Sequence, residues 1–276
     1  MKKLLIITGP TAAGKTAEAV RLAGEMGTEI ISCDSRQCYR ELNIGVARPS
    51  DEELAAVRHH FIACRSVREP YNIAEFEHEA LDVIHTLFST HDEVVACGGS
   101  GLYIDALRQG VTSLPDPTPE LRSELQQMPI EEKRLRLRML DPDYYSRVDL
   151  RNPVRLQRAL EVCLMTGRSY SQVLAESRPV ERDFEIEIRV MAPEPAVVRE
   201  RIDSRVDAMM AAGLMEEVRS VMPFRGLSTL RTVGYRELFP VLDGTVAVED
   251  AVAQIKLNTW HYAKKQLTWM RKYQYL

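Results

Sequence analysis

The sequence has few cysteines and no long hydrophobic run. Five cysteines occur among its 276 residues, and no two of them form a C-x-x-C pair: Cys33, Cys38, Cys64, Cys97 and Cys163. An odd number without paired spacing argues against a disulfide framework or a zinc site and is typical of reduced thiols in the cytoplasm. The first apolar run, residues 4–7, is too short for a signal peptide or a membrane span. We therefore expect a soluble, cytoplasmic protein without a membrane contact.

An overall positive charge is also lacking. The chain has 36 basic and 40 acidic residues, which by itself argues against a nucleic-acid partner. The charge is segregated, however. Residues 251–276 contain five lysines and arginines and no acidic residue, and residues 151–168 have a net charge of +3. Such segments attract phosphates, although a basic helix face is more often only a solvated surface, so a nucleic-acid partner remains open.

A phosphate-binding loop follows the first predicted strand. Residues 3–8 form a short apolar run, and a helical pattern extends from the loop to about Met26. Between them the pattern G-x-x-x-x-G-K-[ST] is matched in full by Gly9, Pro10, Thr11, Ala12, Ala13, Gly14, Lys15 and Thr16. In such a loop the backbone N–H groups and the lysine bind a diphosphate, and the threonine hydroxyl can ligate Mg²⁺. The dinucleotide pattern G-x-G-x-x-G is absent, because Thr11 takes the place of the second glycine.

Strands and helices alternate through the first 113 residues. Apolar runs at residues 29–33 and 93–97 predict two more buried strands, which end at Asp34 and at a group of glycines. This alternation predicts a parallel, doubly wound α/β sheet, in which ligands bind at the carboxyl ends of the strands. Asp34 would then face the phosphate loop and could act as a general base, although a single aspartate there could equally cap the next helix.

A proline-rich linker at residues 114–119 ends the alternation of strands and helices. From there to about residue 177 the periodicity is helical and strongly charged, and residues 184–190 then alternate as one returning strand. A long helix is predicted from Pro193 to Met210 with Gly213 as its stop, and another from residue 247 to about residue 273. We predict a P-loop α/β core of residues 1–113 and 184–276, interrupted by an all-helical insertion of residues 114–183.

Six further motifs carry a resemblance to a known family. They are residues 34–39 (DSRQCY), 43–49 (NIGVARP), 98–104 (GGSGLYI), 158–162 (RALEV), 233–237 (VGYRE) and 262–266 (YAKKQ). Together with the phosphate loop they resemble the tRNA dimethylallyltransferases nearly from end to end. No Cys₂His₂ pattern of the kind that eukaryotic relatives carry is found, so the resemblance is to the bacterial type. It implies transfer of the dimethylallyl group from dimethylallyl diphosphate to N6 of adenosine 37 in tRNA, with release of diphosphate.

The resemblance also implies a role for each residue of the diphosphate site. Asp34 would accept the proton from N6 of the adenine. Ser100, which stands where the family usually has threonine, would hydrogen-bond the bridging oxygen. Lys15, an Mg²⁺ ion at Thr16 and an arginine of the next long helix would stabilise the leaving diphosphate. The family pattern favours Arg205 for this arginine, and Arg201, one helical turn away, is the alternative.

A contact with the anticodon stem-loop of tRNA is implied as well, with the target base extracted from the loop. Tyr262 or Trp269 could stack on a base, although helix aromatics at this spacing more often belong to a core. His59 and His60 are interpreted as structural, because adjacent residues of a strand point to opposite faces. The residues expected to contact tRNA are Asp34, Ser35, Arg36, Gln37, Ser100, Arg122, Arg158, Arg231, Arg236, Lys264, Lys265 and Arg271.

Three alternative functions remain open from the sequence. A small-molecule P-loop kinase would also place an aspartate after its second strand, with the insertion as a lid over ATP. A prenyltransferase of free adenine nucleotides would share the chemistry but lacks such an insertion. A tRNA-binding protein without catalysis would leave Lys15 and Asp34 without a role. We favour the tRNA prenyltransferase, acting as a monomer.

Overall fold

The computed structural model describes residues 2–69, 71–112, 114–176 and 180–273. It divides the chain into two compact units, of which the first comprises Met1–Gln109 and Arg182–Leu276 and the second Gly110–Glu181. The predicted boundaries, at residues 113/114 and 183/184, stand four and two residues further along the chain.

Strands and helices of the first unit alternate up to residue 109. The strands are β1 (Lys3–Thr8), β2 (Ile30–Ser32), β3 (His59–His60), β4 (Glu93–Gly98) and β5 (Glu185–Val190). The helices that follow β1 to β4 are α1 (Lys15–Met26), α2 (Asp51–Ala56), α3 (Ile73–Phe88) and α4 (Gly101–Gln109). The second unit contains α5 (Pro119–Gln127), α6 (Ile130–Leu140), α7 (Pro142–Tyr145), α8 (Pro153–Thr166) and α9 (Tyr170–Glu176). After β5 come α10 (Pro195–Ala211), α11 (Leu214–Val221), α12 (Tyr235–Leu242) and α13 (Val248–Met270), with short 3₁₀ helices at Met222–Phe224, Ser228–Leu230 and Arg271–Tyr273.

The five strands form one parallel sheet in the order β3-β2-β4-β1-β5. The four predicted strands are all present, and the returning strand β5 pairs in parallel with β1, from Lys3 opposite Glu185 to Thr8 opposite Val190. The α/β class with a parallel sheet is therefore confirmed. Helices α2 and α3 and the two-residue strand β3 lie outside the predicted elements.

Both faces of the central strands are covered, which is why β1 reads as a continuous apolar run. Leu4 and Ile6 pack with Phe76 of α3 and Ile104 of α4 on one face. On the other face, Leu5 and Ile7 of β1 pack with α1 through its residues Ala19, Leu22 and Ala23. A strand buried on both sides carries no polar face, and its side chains alternate between two cores instead. The edge strand β5 is only partly buried and keeps an alternating pattern.

The helices after β5 build a third core in the first unit. Ile202 of α10, Leu214 of α11, Leu238 of α12 and Ile255 of α13 belong to one buried cluster. The same cluster includes Leu42 from the loop that follows β2. It holds α10 and α13 beside the loops at the carboxyl ends of the strands, where the candidate site lies.

The described residues of the second unit form helices and no strand, as predicted for the insertion. Its own core contains Leu125, Leu137, Leu156 and Leu160, all fully buried. In the part of the chain that the structure describes, no helix is both long and apolar enough to cross a bilayer.

Candidate active site

Three loops meet at the carboxyl edge of the sheet. The phosphate loop leaves β1, the turn with Asp34 leaves β2, and the glycine turn with Ser100 leaves β4. Because β4 lies between β2 and β1, all three loops open on the same edge. The predicted meeting of Lys15, Asp34 and Ser100 follows from this strand order.

The phosphate loop is shaped by close packing and by two left-handed residues. A Cβ atom on Gly9 would stand 2.4 Å from the carbonyl oxygen of Met191, so only glycine fits there. Gly14 has φ +89° and Ala12 has φ +64°, which curl the backbone into the start of α1. Pro10 has no N–H, and the Ala13 N–H donates to its carbonyl oxygen at 3.2 Å. The N–H groups at the beginning of α1, including those of Lys15 and Thr16, are among those open to an anion.

Cationic side chains gather around this loop. The Nζ of Lys15 donates to the carbonyl oxygen of Pro10 at 2.7 Å, and desolvation lowers its pKa. Arg205 lies 3.5 Å from the Thr11 hydroxyl, and burial lowers its pKa as well. Arg201 lies 3.4 Å from the Ala12 carbonyl oxygen. Buried cations with lowered pKa values are stabilised when an anion arrives.

The structure brings both candidate arginines to the loop. A cavity of about 540 Å³ is lined by Ala12, Gly14, Val197, Glu200, Arg201, Ser204 and Arg205. Arg205 contacts a side-chain oxygen of the loop, whereas Arg201 contacts a backbone oxygen. Burial also lowers the pKa of Arg205. Its assignment to the diphosphate stays a prediction, with Arg201 as a second contact.

Ser35, the neighbour of Asp34, connects Asp34 to Ser100. The Ser35 N–H donates to Ser100 Oγ at 3.1 Å, and the Arg36 N–H donates to Asp34 Oδ1 at 2.9 Å. The Ser100 N–H itself donates to the Cys33 carbonyl oxygen at 3.2 Å. This ladder fixes the β2 and β4 turns against each other. Asp34 and Ser100 are both only partly buried, so a ligand can reach them.

Gln37 points into the protein rather than away from it. Its Nε2 donates to the carbonyl oxygens of Val46 and Ala47 at 3.3 and 2.9 Å, and Ser32 Oγ approaches its Oε1 at 3.4 Å. The side chain thus joins two of the sequence motifs, residues 34–39 and 43–49. Arg36 is partly buried beside it. Contact of either residue with tRNA stays a prediction.

Exposed lysines of α13 form the clearest basic surface of the first unit. Lys264, Lys265 and Arg271 are all exposed, and the Lys264 ammonium lies 5.6 Å from the Trp260 ring centre. Lys272 instead pairs with Asp105 and stacks on Trp269. Of the other arginines, Arg231 is exposed.

Arg236 and Arg158 are already engaged with buried carboxylates. In the first unit, Arg236 Nε donates to Glu237 Oε1 at 2.6 Å. In the second unit, Arg158 lies 3.3 Å from Glu161 and 3.2 Å from the Pro115 carbonyl oxygen, while Arg122 is exposed. A buried carboxylate holds a paired arginine in place, so these two arginines have a structural role in addition to any contact with tRNA.

The two candidate stacking residues have different surroundings. Trp269 is partly buried against Gly101, where an added Cβ would come within 2.3 Å of its Nε1. Tyr262 is 44% exposed, and desolvation and the charge of Asp34 raise the pKa of its hydroxyl to about 12. Of the two, only Tyr262 offers a ring to a base near Asp34.

His59 and His60 make local contacts. His59 Nδ1 is 2.8 Å from the Val57 carbonyl oxygen, and burial lowers the pKa of its imidazole. His60 Nε2 pairs with Glu29 Oε2 at 2.5 Å. Among the residues with described side chains, no group of three or more His, Cys, Asp or Glu could hold a metal ion by itself.

The phosphate loop offers an oxygen ligand that suits a magnesium ion. Thr16, in the first turn of α1, supplies a hydroxyl next to Lys15. Mg²⁺ usually takes one or two protein oxygens and completes its octahedron with substrate phosphates and waters. Thr16 is therefore a suitable ligand for an ion that a diphosphate shares.

The match to known proteins covers nearly the whole chain. The family model described as IPP transferase matches residues 37–273. The chain belongs to the IPP transferase family. It is 45% identical over 275 residues to the tRNA dimethylallyltransferase of Christiangramia forsetii, an alignment that covers 98% of this chain and 90% of that protein. For tRNA dimethylallyltransferase 1 of Bacteroides thetaiotaomicron the identity is 41% over 276 residues, with 99% and 89% covered.

A solved structure agrees with this assignment. The full-length tRNA isopentenylpyrophosphate transferase of Bacillus halodurans matches with a TM-score of 0.71 and 32% identity, over 98% of this chain and 87% of that one. The resemblance found in the motifs is thereby confirmed, and with it the P-loop α/β fold of this IPP transferase.

Two residues of this IPP transferase were outside the predicted set. Gln266 of α13 is buried and bonded to the phosphate loop at Thr11 and to the turn at Gly99. Glu217 of α11 accepts the successive N–H groups of residues 43–45 at 2.7–3.0 Å, and the Tyr235 hydroxyl at 2.6 Å. The signal for Gln266 was present as the last residue of the YAKKQ motif. Glu217 lies in no motif, and its backbone partners at residues 43–45 are more than 170 residues away.

Proposed function

We propose that this IPP transferase moves the dimethylallyl group from dimethylallyl diphosphate to N6 of adenosine 37 in tRNA and releases diphosphate. The observation that carries the proposal is the common edge of β1, β2 and β4. The phosphate loop with Lys15, the turn with Asp34 and the turn with Ser100 all follow strands at this edge, which supports a shared site. A kinase would need the same phosphate loop, but the kinase reaction does not require the contact between Ser35 and Ser100.

The loop suits a diphosphate that leaves as an anion. When the allylic C1–O bond breaks, both electrons of that bond stay on the diphosphate. The Lys15 ammonium, at Pro10, and the Arg205 guanidinium, at Thr11, both lie at the phosphate loop, beside the first N–H groups of α1. Preorganised donors of this kind stabilise the transition state because they need no reorientation as the charge develops.

Asp34 and Ser100 serve the two ends of the reacting bond. The adenine N6 attacks C1, a C–N bond forms as the C–O bond breaks, and the extra proton on N6 passes to the Asp34 carboxylate. The Ser100 hydroxyl donates to the bridging oxygen. A positioned base of this kind contributes roughly 10²- to 10⁴-fold in rate.

Mg²⁺ bound through the Thr16 hydroxyl and the substrate phosphates would supply additional positive charge for the leaving group. The tRNA is bound through its anticodon stem-loop, since the target atom is accessible only when adenosine 37 leaves the stack. The exposed basic residues of α13 contact the backbone, and the Tyr262 ring lies beside the extruded base. The enzyme acts as a monomer in the cytoplasm.

The decisive experiment incubates the purified protein with labelled dimethylallyl diphosphate, Mg²⁺ and bulk tRNA. The tRNA is then digested to nucleosides, which are identified by mass. N6-isopentenyladenosine that carries the label is the expected product. Label that stays out of the tRNA while added ATP is consumed would favour a kinase and reject the proposal.

Two controls separate the remaining alternatives. Free adenosine monophosphate, offered in place of tRNA, should not be modified. A tRNA lacking adenosine at position 37 should not be modified either, and modification of such a tRNA would contradict the assigned target.

A further inference from the structure

One buried side chain joins two of the three loops at the site. Gln266 lies in α13 and is 6% exposed. Its Oε1 accepts the Thr11 N–H at 2.8 Å, and its Nε2 donates to the Gly99 carbonyl oxygen at 2.9 Å. A single amide therefore ties the phosphate loop after β1 to the glycine turn after β4.

The two partners determine how this amide is oriented. A backbone N–H can only donate and a backbone carbonyl can only accept, so the oxygen must face Thr11 and the nitrogen must face Gly99. The turn also makes room for it. A Cβ atom on Gly99 would stand 2.3 Å from Nε2. Trp269, one turn further along α13, packs on Gly101, so α13 holds the turn on both sides of Ser100.

We propose that Gln266 is a positioning residue of the diphosphate site, which holds the Ser100 hydroxyl in register with the phosphate loop. The inference rests on the proposed function, in which the loop binds the diphosphate and Ser100 contacts the bridging oxygen of the same ligand. Both groups must then contact the same ligand, and an error of about 1 Å in their placement can cost roughly 100-fold in rate.

The bond to Gln266 also decides which donors serve the ligand. The Thr11 N–H is already taken and is not a donor to the diphosphate. The loop then binds its ligand through the N–H groups at the beginning of α1, and Thr11 is an anchor of the loop. A glutamine that merely filled the core would affect stability alone, whereas a positioning residue affects diphosphate affinity in the folded protein.

The test measures the affinity for inorganic pyrophosphate, in the presence of Mg²⁺, together with kcat and KM for dimethylallyl diphosphate. Gln266→Leu removes both hydrogen bonds at similar volume. Because both hydrogen bonds are internal to the protein, their loss weakens binding by displacing the loop and the turn. We expect about 10-fold weaker binding of pyrophosphate and a similar rise in KM, less than a full error of about 1 Å would cost. The affinity for tRNA should stay unchanged. Gln254→Leu is the matched control, since Gln254 is an exposed glutamine of the same helix.

Gln266→Glu gives a sharper readout. The carboxylate accepts from Thr11 but repels the Gly99 carbonyl oxygen, whereas the protonated carboxyl group can donate to it. The pyrophosphate affinity of this variant, relative to wild type at each pH, should therefore recover as the pH falls. Because the new carboxylate would also repel the anion directly, this recovery supports the inference only together with weaker binding by the uncharged Gln266→Leu.

Several outcomes overturn the inference. Folded variants whose pyrophosphate affinity and KM stay within twofold of wild type would reject it. Loss of folding in both variants would assign Gln266 to stability alone and reject it too. Failure of the proposed function looks different: the wild-type protein would then transfer no dimethylallyl group to tRNA. Pyrophosphate binding is measured without tRNA and is therefore an independent readout.

Discussion

The Ser35 N–H donates to Ser100 Oγ at 3.1 Å and so joins the turn after β2 to the turn after β4. Because its oxygen accepts this bond, the Ser100 hydroxyl proton is directed elsewhere, and its contact with Ser35 Oγ is long at 3.4 Å. A bridging oxygen of a bound diphosphate would be a better acceptor. The same bond holds the turn with Asp34, the neighbour of Ser35, against the turn with Ser100.

Asp34→Ala should lower the rate of transfer by roughly 10²- to 10⁴-fold, because no positioned base then accepts the N6 proton. The affinity for tRNA should change little, since the carboxylate acts on the proton and not on the tRNA backbone. Single-turnover rates and filter binding measure the two quantities. Asp51→Ala, an exposed aspartate at the start of α2, is the control. Normal turnover by Asp34→Ala would reject the assignment of the base.

Pyrophosphate binding should weaken as the pH rises, through the titration of Lys15. Burial lowers the pKa of Lys15 below its usual value of 10.5. A bound anion favours the charged ammonium and raises that pKa, so binding takes up a proton once the pH exceeds the lowered pKa of the free enzyme. The contribution of Lys15 to the affinity is therefore constant below this pKa and falls above it.

Calorimetric titrations with pyrophosphate across this pH range test the prediction. Lys15→Ala should bind pyrophosphate roughly 10- to 100-fold more weakly, because a hydrogen bond to a charged group is missing. The fall in affinity above the pKa of Lys15 (the pH step) should also disappear. Lys15→Arg should also lose the step, since the guanidinium stays charged. A step that persists in Lys15→Ala would assign the titration to another group.

The elements that were predicted carry their signal locally. Strand β1 is a continuous apolar run followed at once by a complete phosphate-loop pattern, so its type and its end were both evident. Strand β3 has only two residues and shows no periodicity at all. Helix α3 had a usable signal, since Asn72 and Glu75 form a capping box at its start.

The residues of the site could be predicted from the sequence, but the long-range hydrogen bonds that connect them could not. Asp34 follows β2 and Lys15 ends the phosphate loop that follows β1, and sheet topology brings the loops after such strands together. The bond between Gln266 and Thr11 spans 255 residues. No local pattern encodes it, because it depends on how α13 packs after the whole core has formed.

Two glycine substitutions should change stability in opposite directions. At Gly101, an added Cβ would come within 2.3 Å of Trp269 Nε1, and overpacking of this kind costs about 1–3 kcal/mol of unfolding free energy. Gly24 lies inside α1 with nothing within 4 Å of the new atom. Alanine there should stabilise the protein by about 0.5–1 kcal/mol, because glycine disfavours a helix. Urea unfolding of Gly101→Ala and Gly24→Ala measures both, and equal signs would contradict the packing argument.

Arg182 should be important for stability at the point where the chain returns to the first unit. Its side chain is 9% exposed, donates to the carbonyl oxygens of Ala106 and Leu107, and pairs with Glu77 at 2.6 Å. Arg182→Ala removes the hydrogen bonds to two buried carbonyl oxygens and the pair with the partly buried Glu77, which should cost roughly 2–4 kcal/mol. Arg21→Ala, which removes an exposed pair on α1, should leave the unfolding midpoint unchanged. Similar midpoints for the two variants would show that the Arg182 contacts contribute little.

The salt dependence of tRNA binding tests the basic surface of α13. Each lysine that neutralises a phosphate releases counterions, so its removal lowers the slope of log affinity against log salt by about one. Lys264→Ala with Lys265→Ala should therefore lower the slope by about two and weaken binding at low salt. Lys256, on the same helix, pairs with Asp207 at 2.6 Å and so has less charge to offer a phosphate. Lys256→Ala should leave the slope unchanged, and an unchanged slope in the double variant would place the tRNA backbone on another surface.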